Sequence, residues 1–180
     1  MRLAAVAALL LGGLVAAGCA ADLSPSVGPV AIPGGASAAG SAPAGRCSTV
    51  DVKASGGPWG GAAGSRGADV TVAVTGTGSC LLAPRPVVAI VDATRTVVLQ
   101  TKPVVATGER TLAPGQPASF SILFSNWCDP APKLPLRPVL VLDSGLVEIG
   151  GLALATVDAL PPCNGPGQPA SLSATDWQAP

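Results

Sequence analysis

The feature that most constrains this chain is the way turn residues cut it into short apolar runs. Glycine and proline contribute 23 and 19 of the 180 residues, and no long helical periodicity survives between them. Residues 69–75 show the clearest alternation, with Val70, Val72 and Val74 on one face. Successive side chains of a strand point to opposite faces, so this pattern predicts a half-buried β-strand.

Similar short runs follow along the chain after residue 45. The predicted strands cover residues 49–53, 69–75, 80–82, 87–91, 96–100, 119–124, 138–142, 145–149, 153–157 and 171–177. The run 87–91 is continuously apolar, which is typical of a strand buried on both faces. Many short strands with frequent turns predict an all-β protein, specifically an antiparallel immunoglobulin-like β-sandwich.

The N-terminus has the layout of an export signal. Arg2 precedes an uncharged apolar run at residues 3–15, and small residues at 16–18 lead to Cys19. The run is too short to cross a bilayer comfortably, which takes about 20 residues. Small residues directly before a cysteine resemble a bacterial lipobox, so we expect Cys19 to be lipidated. Ordinary signal cleavage near Ala20 is the alternative.

The domain organisation follows from this signal. Residues 1–18 are predicted to be a lipoprotein signal peptide, and residues 19–45 a lipidated cysteine with a flexible linker of Ala, Gly, Ser and Pro. Such a composition cannot form a core. Residues 46–180 are predicted to form the disulfide-stabilised domain. We therefore expect an exported protein, lipid-anchored to the outer face of the cell membrane.

Charge and composition exclude several functions. Lys and Arg total 10, Asp and Glu also total 10, and no basic patch is present, so nucleic acid is not an expected partner. The absence of His excludes Ser-His-Asp catalysis and histidine zinc sites. No Ser-x-x-Lys motif occurs, and Asn126 with Asp129 are too few ligands for calcium. No cofactor, metal or catalytic residue is predicted.

Four cysteines remain after Cys19. Cys47, Cys80, Cys128 and Cys163 form an even set in an exported chain, which predicts disulfides. Three pairings are possible, and we favour Cys47–Cys80 with Cys128–Cys163 because each would join neighbouring strand regions. A zinc site is the alternative, but zinc cysteines usually occur as close pairs.

The tryptophans are the candidate recognition residues. Trp59 lies on a glycine-rich loop, where an exposed aromatic ring could bind a partner, or could instead fold back over the sheet edge. Trp127 is the second candidate, although it could also pack against the disulfide beside it. Trp177 is expected to cap the core.

Several motifs resemble a known domain family. They are Cys47, residues 61–65, the run 74–81, residues 112–118, Cys128, Cys163 and the segment before Trp177. Together they resemble the DUF4232 family, a domain of unknown function in exported and lipid-anchored proteins of actinobacteria. The resemblance implies an all-β sandwich with disulfides and brings no catalytic residues. The chain departs from the pattern at Gly76 and at residues 83–86.

We therefore expect a lipid-anchored, non-catalytic module that binds an envelope protein or wall polymer. One alternative is an envelope hydrolase with an unrecognised carboxylate site, and another is a purely structural envelope protein. A binding module predicts an apolar surface patch that includes Trp59, whereas a hydrolase predicts a cleft in which acidic side chains converge.

Overall fold

The computed structural model describes residues 44–62, 64–102, 104, 107–128, 132–165 and 167–178. The predicted signal peptide at 1–18, Cys19 and the linker up to residue 43 lie outside the described residues. Lipidation, export and linker flexibility therefore stay predictions. Within the described part of the chain, no helix has the length and apolar character needed to cross a membrane.

The described residues form an all-β structure, as predicted. The strands are β1 (Val52–Gly56), β2 (Gly60–Ala62), β3 (Ser65–Val74), β4 (Cys80–Leu82), β5 (Val88–Val91), β6 (Val97–Gln100), β7 (Arg110–Leu112), β8 (Ala118–Ser125), β9 (Arg137–Leu142), β10 (Gly145–Gly150) and β11 (Ser171–Ala174). A short 3-10 turn, Val157–Ala159, lies between β10 and β11.

The strand order does not support the predicted immunoglobulin-like sandwich. One mixed sheet of nine strands has the order β11-β8-β3-β1-β10-β9-β5-β6, with β2 paired to β3, while β4 and β7 form a separate ribbon. β1 runs parallel to β10, with Ala54 opposite Ile149. The two ends of this sheet approach each other: Cα atoms of β11 lie within 8 Å of Cα atoms of β5 and β6. The sheet is therefore nearly closed into a barrel, rather than divided into two antiparallel layers.

Most predicted strands are present, with shifted ends. The hairpin return at 96–100 is β6, paired with β5, and β5 is buried along its whole length. The predicted strand at 153–157 is wrong: its only ladder contact is an isolated bridge between Leu136 and Leu154. The short strands β2 and β7 were not predicted, because glycine-rich and three-residue segments show no usable alternation.

The core lies inside the curled sheet. On β8, Phe120, Ile122 and Phe124 all face inward and are buried, as their alternation predicted. On β3, Val70 and Val72 are buried against the same cluster. Burying each such side chain stabilises the fold by about 1.5–3 kcal/mol, and these two paired strands supply several of the largest fully buried side chains of the core.

The four cysteines pair as favoured from the sequence. Cys47 bonds to Cys80, and Cys128 bonds to Cys163, across sequence separations of 33 and 35 residues. The first bond joins the entry of the domain to β4. The second joins the end of β8 to the loop that follows the 3-10 turn. The pairing rules out the zinc alternative for these thiols.

Candidate functional site

A groove of about 610 Å³ lies where the curled sheet fails to close. Its lining comes from residues 83–87 before β5, residues 99–102 and Val104 at the end of β6, and residues 169–174 leading into β11. We call this the edge groove. It is predominantly apolar, with Pro86, Leu99 and Leu172 among its lining residues. The groove therefore lies between β11 and β6, the strands at the two ends of the sheet order.

The hydrogen-bond pattern shows which backbone groups face the edge groove. The Thr175 amide donates to the Ser121 carbonyl at 2.9 Å, so that pair is a hydrogen-bonded pair of the β11–β8 ladder. Hydrogen bonding alternates along an antiparallel pair. The amides and carbonyls of Leu172 and Ala174 consequently point away from β8, and both residues line the groove.

β6 presents a similar edge on the other side. The Thr101 amide donates to the Val88 carbonyl at 2.9 Å, which makes that pair hydrogen-bonded. By the same alternation, the backbone groups of Gln100 point away from β5. The Val88 amide donates to the Thr101 hydroxyl at 3.1 Å, which holds this end of the hairpin in place. Two strand edges with outward-pointing backbone groups thus border one apolar groove.

The charged side chains of the edge groove are basic. Arg85 and Lys102 line it, and none of its described lining residues is acidic. Arg85 forms an ion pair with Asp176. Lys102 is exposed and makes no ion pair with any residue that the structure describes. The groove therefore offers one unpaired positive charge at its rim.

Trp177 packs beside the edge groove and contacts both the segment before β5 and β8. Its indole N–H donates to the Ala83 carbonyl at 2.9 Å, and its ring packs edge-on against Phe120 with centroids 5.1 Å apart. The predicted role of this residue in capping the core agrees with these contacts. It also holds the segment 83–87 in position against β8.

Trp59 is half-buried rather than displayed on an open loop. Its indole N–H donates to the Leu152 carbonyl at 3.0 Å, and its ring packs against the core. Trp59 does not line the edge groove. The Trp59 ring is therefore folded back against the sheet, as the alternative prediction had it, and is not an exposed ring on an open loop.

Trp127 has different neighbours from Trp59. Its ring packs edge-on against Phe124 at 5.8 Å, and it lines a pocket of about 400 Å³ together with Arg66 and Cys163. Within the described part of the chain, the Trp127 indole N–H and the Arg66 Nε–H have no acceptor. The structure therefore does not bring the two predicted binding tryptophans into one site.

Two acidic side chains meet in a shallow surface pocket. Glu109 and Asp176 line a common open pocket beside Trp177. Glu109 forms an ion pair with Arg46 at 2.7 Å, and Asp176 pairs with Arg85. Each of the two carboxylates is therefore paired with a guanidinium group, although Arg46 also pairs with Asp143. Among the described residues, no cluster of three or more Cys, Asp or Glu side chains could hold a metal ion.

Two aspartates have lowered pKa values for structural reasons. Asp92 accepts hydrogen bonds from the Thr94 hydroxyl and from the amides of Thr94 and Thr96, and these bonds lower its pKa. Asp51 accepts from the Ser48 hydroxyl and amide, which lowers its pKa as well. Hydrogen bonds to the ionised form favour that form. Asp92 therefore stabilises the turn between β5 and β6.

Asn126, which with Asp129 offers too few ligands for calcium, is a buried polar residue with a structural role. Its φ is 58°, its amide donates to the Gly64 carbonyl, and its side chain bonds the Gln168 carbonyl at 2.7 Å and the Asn164 amide at 2.7 Å. Asp129 lies outside the described residues. Asn tolerates left-handed backbone better than most residues, which is the signal that could have indicated a loop-tying role.

The comparisons with known proteins agree with the motifs described above. The family model DUF4232, described as a domain of unknown function, matches residues 47–178. The chain belongs to the DUF4232 family. No curated protein and no solved structure matches it. In this DUF4232 domain, residues 83–86 line the edge groove.

Proposed function

We propose that this DUF4232 protein is an exported, lipid-anchored module of the cell envelope that binds another exported protein without catalysing a reaction. The observation that carries the proposal is the edge groove: an apolar cleft of about 610 Å³ with no acidic residue among its described lining. Apolar concave surfaces with a few polar groups are the usual form of binding sites.

Two further observations support the proposal. Both disulfides are formed, and disulfides persist mainly outside the reducing cytoplasm. The lipobox-like sequence before Cys19 would add an acyl anchor, and two or more acyl chains hold a protein stably at a membrane. The hydrolase alternative is less favoured, because Glu109 and Asp176 are each paired with an arginine.

Photocrosslinking in intact cells tests the binding role. A photoreactive amino acid replaces Val104, an exposed residue of the edge groove, and in a matched control replaces Val50, which is also exposed but does not line the groove. We expect a discrete crosslinked product only from position 104. A protease-sensitive product supports a protein partner, a muramidase-sensitive product indicates a wall polymer instead, and equal labelling at both positions contradicts a groove-specific partner.

The anchor is tested separately with Cys19→Ala. Metabolic labelling with a palmitate analogue should mark the wild-type protein and not the variant, and the variant should leave the membrane fraction. Labelling of the variant, or its unchanged retention at the membrane, would show that Cys19 is not the anchor.

A further inference from the structure

We propose that the Cys128–Cys163 disulfide is a site of thiol exchange: an exported dithiol protein reduces it at Cys163, and its redox state regulates the edge groove. The regulatory part rests on the proposed binding function, because it concerns how the same groove is controlled. The exchange chemistry stands apart from that function, since it depends only on the surroundings of the disulfide.

The two disulfides differ in their exposure to solvent. Cys47 and Cys80 are 4% and 6% exposed and belong to the core cluster. Cys163 is exposed, and Cys128 is half-buried. A thiolate must reach a sulfur atom of the disulfide that it attacks, so exchange depends on access. Of the two disulfides, the second is therefore the one that a thiol of another protein reaches in the folded chain.

The pocket beside Cys163 favours an attacking anion. It has a volume of about 400 Å³ and is lined by Arg66, Trp127 and residues 157, 158 and 160–163. The Arg66 Nε–H has no acceptor within the described part of the chain, and another guanidinium nitrogen donates to the Asp158 carbonyl at 3.1 Å. A guanidinium group near a cysteine favours the thiolate form. Asp158 is exposed whereas Arg66 is half-buried, so solvent weakens the repulsion from the carboxylate more than the attraction to the guanidinium.

The exchange consists of two thiolate attacks. A thiolate of the dithiol attacks Cys163 Sγ, so a bond forms between the partner and Cys163 while the Cys128–Cys163 bond breaks. Cys128 receives the electron pair and takes a proton from water. The second thiol of the partner loses its proton and attacks the partner's own sulfur in the mixed disulfide, which releases Cys163. The dithiol is oxidised by two electrons, and the two cysteines are reduced by two.

The surroundings of Cys128 accommodate the reduced form. Cys128 Sγ lies 3.3 Å from Asn126 Oδ1 and 3.3 Å from the Gly165 carbonyl oxygen. The S–H group of a cysteine thiol is a weak hydrogen-bond donor, and these oxygens are acceptors already in place. Reduction therefore removes the covalent bond without leaving the new S–H group unpaired.

The disulfide holds the loop that leads into one wall of the edge groove. Six residues after Cys163, residues 169 and 170 line the groove. Once the disulfide is reduced, the side chain of Asn126 still bonds the Asn164 amide and the Gln168 carbonyl, each at 2.7 Å. Hydrogen bonds open far more readily than a covalent bond, so the loop becomes more mobile. A partner must then order this wall when it binds, which lowers its affinity for the groove.

Thiol labelling of the folded chain tests the exchange. The mature, oxidised protein is incubated with a dithiol protein that has a Cys-x-x-Cys pair, and free thiols are alkylated at intervals and measured by mass spectrometry. Cys128 and Cys163 should be reduced at least about 100-fold faster than Cys47 and Cys80, which need local unfolding first. A variant of the dithiol protein without its second cysteine should be trapped on Cys163. Equal rates for the two disulfides, or trapping on Cys128 alone, would overturn the proposal.

Substitutions of Arg66 test the pocket. Arg66→Gln should slow the exchange several-fold, whereas Arg66→Lys keeps the positive charge and should retain most of the rate. Lys53→Gln is the matched control, because Lys53 is exposed on β1 and does not line the pocket. Thermal midpoints establish that each variant is folded. Exchange at the wild-type rate in folded Arg66→Gln would remove the guanidinium group from the mechanism.

Hydrogen exchange and crosslinking test the effect on the groove. Amides of residues 164–170 should exchange about tenfold faster or more in the wild type reduced at the second disulfide than in the oxidised form. Replacing Cys128 and Cys163 together by serine imitates the reduced state in cells, and this variant should lose most of the crosslinked product at position 104. The double serine variant of the first disulfide is the control, and it should keep that product wherever it remains folded.

The outcomes separate this inference from the proposed function. Equal hydrogen exchange in the two redox forms, or unchanged crosslinking in a folded Cys128→Ser and Cys163→Ser variant, would overturn control of the groove. If the second disulfide resists the dithiol but position 104 still captures a protein, the exchange is wrong and the binding function stands. If thiol labelling succeeds but the oxidised wild type gives no crosslink, the binding function fails and the exchange stands.

Discussion

The parallel pairing of β1 with β10 predicts that replacing Gly56 by alanine destabilises the fold. Gly56 ends β1, beside the pair Ser55 and Gly150. A Cβ atom at Gly56 would meet three side-chain carbons of Leu152, the farthest at 2.8 Å, and Leu152 is completely buried. Because Leu152 is completely buried, the added methyl group overpacks the core around it.

The magnitude follows from two opposing contributions. Overpacking a filled core costs about 1–3 kcal/mol. Replacing glycine by alanine also restricts the unfolded chain, which stabilises the folded state by about 0.4–1 kcal/mol. We therefore expect Gly56→Ala to lower the free energy of unfolding by up to about 2.6 kcal/mol. Gly57→Ala is the matched control, because its Cβ would meet no atom closer than 3.9 Å.

Urea denaturation, followed by tryptophan fluorescence and circular dichroism, measures both variants. The control should be unchanged or slightly stabilised, so the two substitutions should differ in sign. In the background of Leu152→Ala, where the clash is absent, Gly56→Ala should no longer destabilise. Equal midpoints for Gly56→Ala and Gly57→Ala, or strict additivity in the double variant, would refute the proposed contact and the position of Leu152.

Three further predictions concern the residues around this framework. Trp59→Phe keeps an aromatic ring but leaves the Leu152 carbonyl without its donor, so chemical denaturation should show a loss of about 1–3 kcal/mol while crosslinking at position 104 is unchanged. Replacing Cys47 and Cys80 together by serine releases a loop closed over 33 residues and should cost about 4 kcal/mol in the same assay. Because the pKa of Asp92 is lowered in the folded state, its ionised carboxylate stabilises the fold above about pH 4. This stabilisation is lost as the pH falls through the pKa of the folded state. The thermal midpoints of wild type and Asp92→Asn should therefore converge in acid.

Each of these predictions has a clear contradicting result. A Trp59→Phe variant that stays fully stable but loses crosslinking would make the ring a recognition residue, as the sequence first suggested. Serine variants as stable as the wild type would show that the first disulfide adds little. A constant difference between wild type and Asp92→Asn from pH 7 to pH 3 would exclude an ionised Asp92 as the stabilising group.

Local patterns were enough to predict most of the strands of this fold, although not β2 and β7. Alternation on β3 and β8 depends only on neighbouring residues, and the inward faces of Phe120, Ile122 and Phe124 were correctly identified. The disulfide pairing was also correct: each cysteine bonds to its neighbour in the sequence of four, across 33 and 35 residues. DUF4232 membership followed from short motifs that the family model also matches.

The arrangement of those elements was decided by tertiary structure. Alternation shows that a strand has a buried face, but it does not show which strand lies beside it or in which direction. The parallel contact of β1 with β10, the curled sheet and the edge groove therefore left no local signal in the sequence. Trp59 and Asn126 follow the same rule. Their residue types allow recognition or ligand binding, and only folding shows which groups they meet. Trp59 donates to the Leu152 carbonyl, and Asn126 is hydrogen-bonded to the loops around residues 64 and 164–168. Both residues therefore hold the fold together.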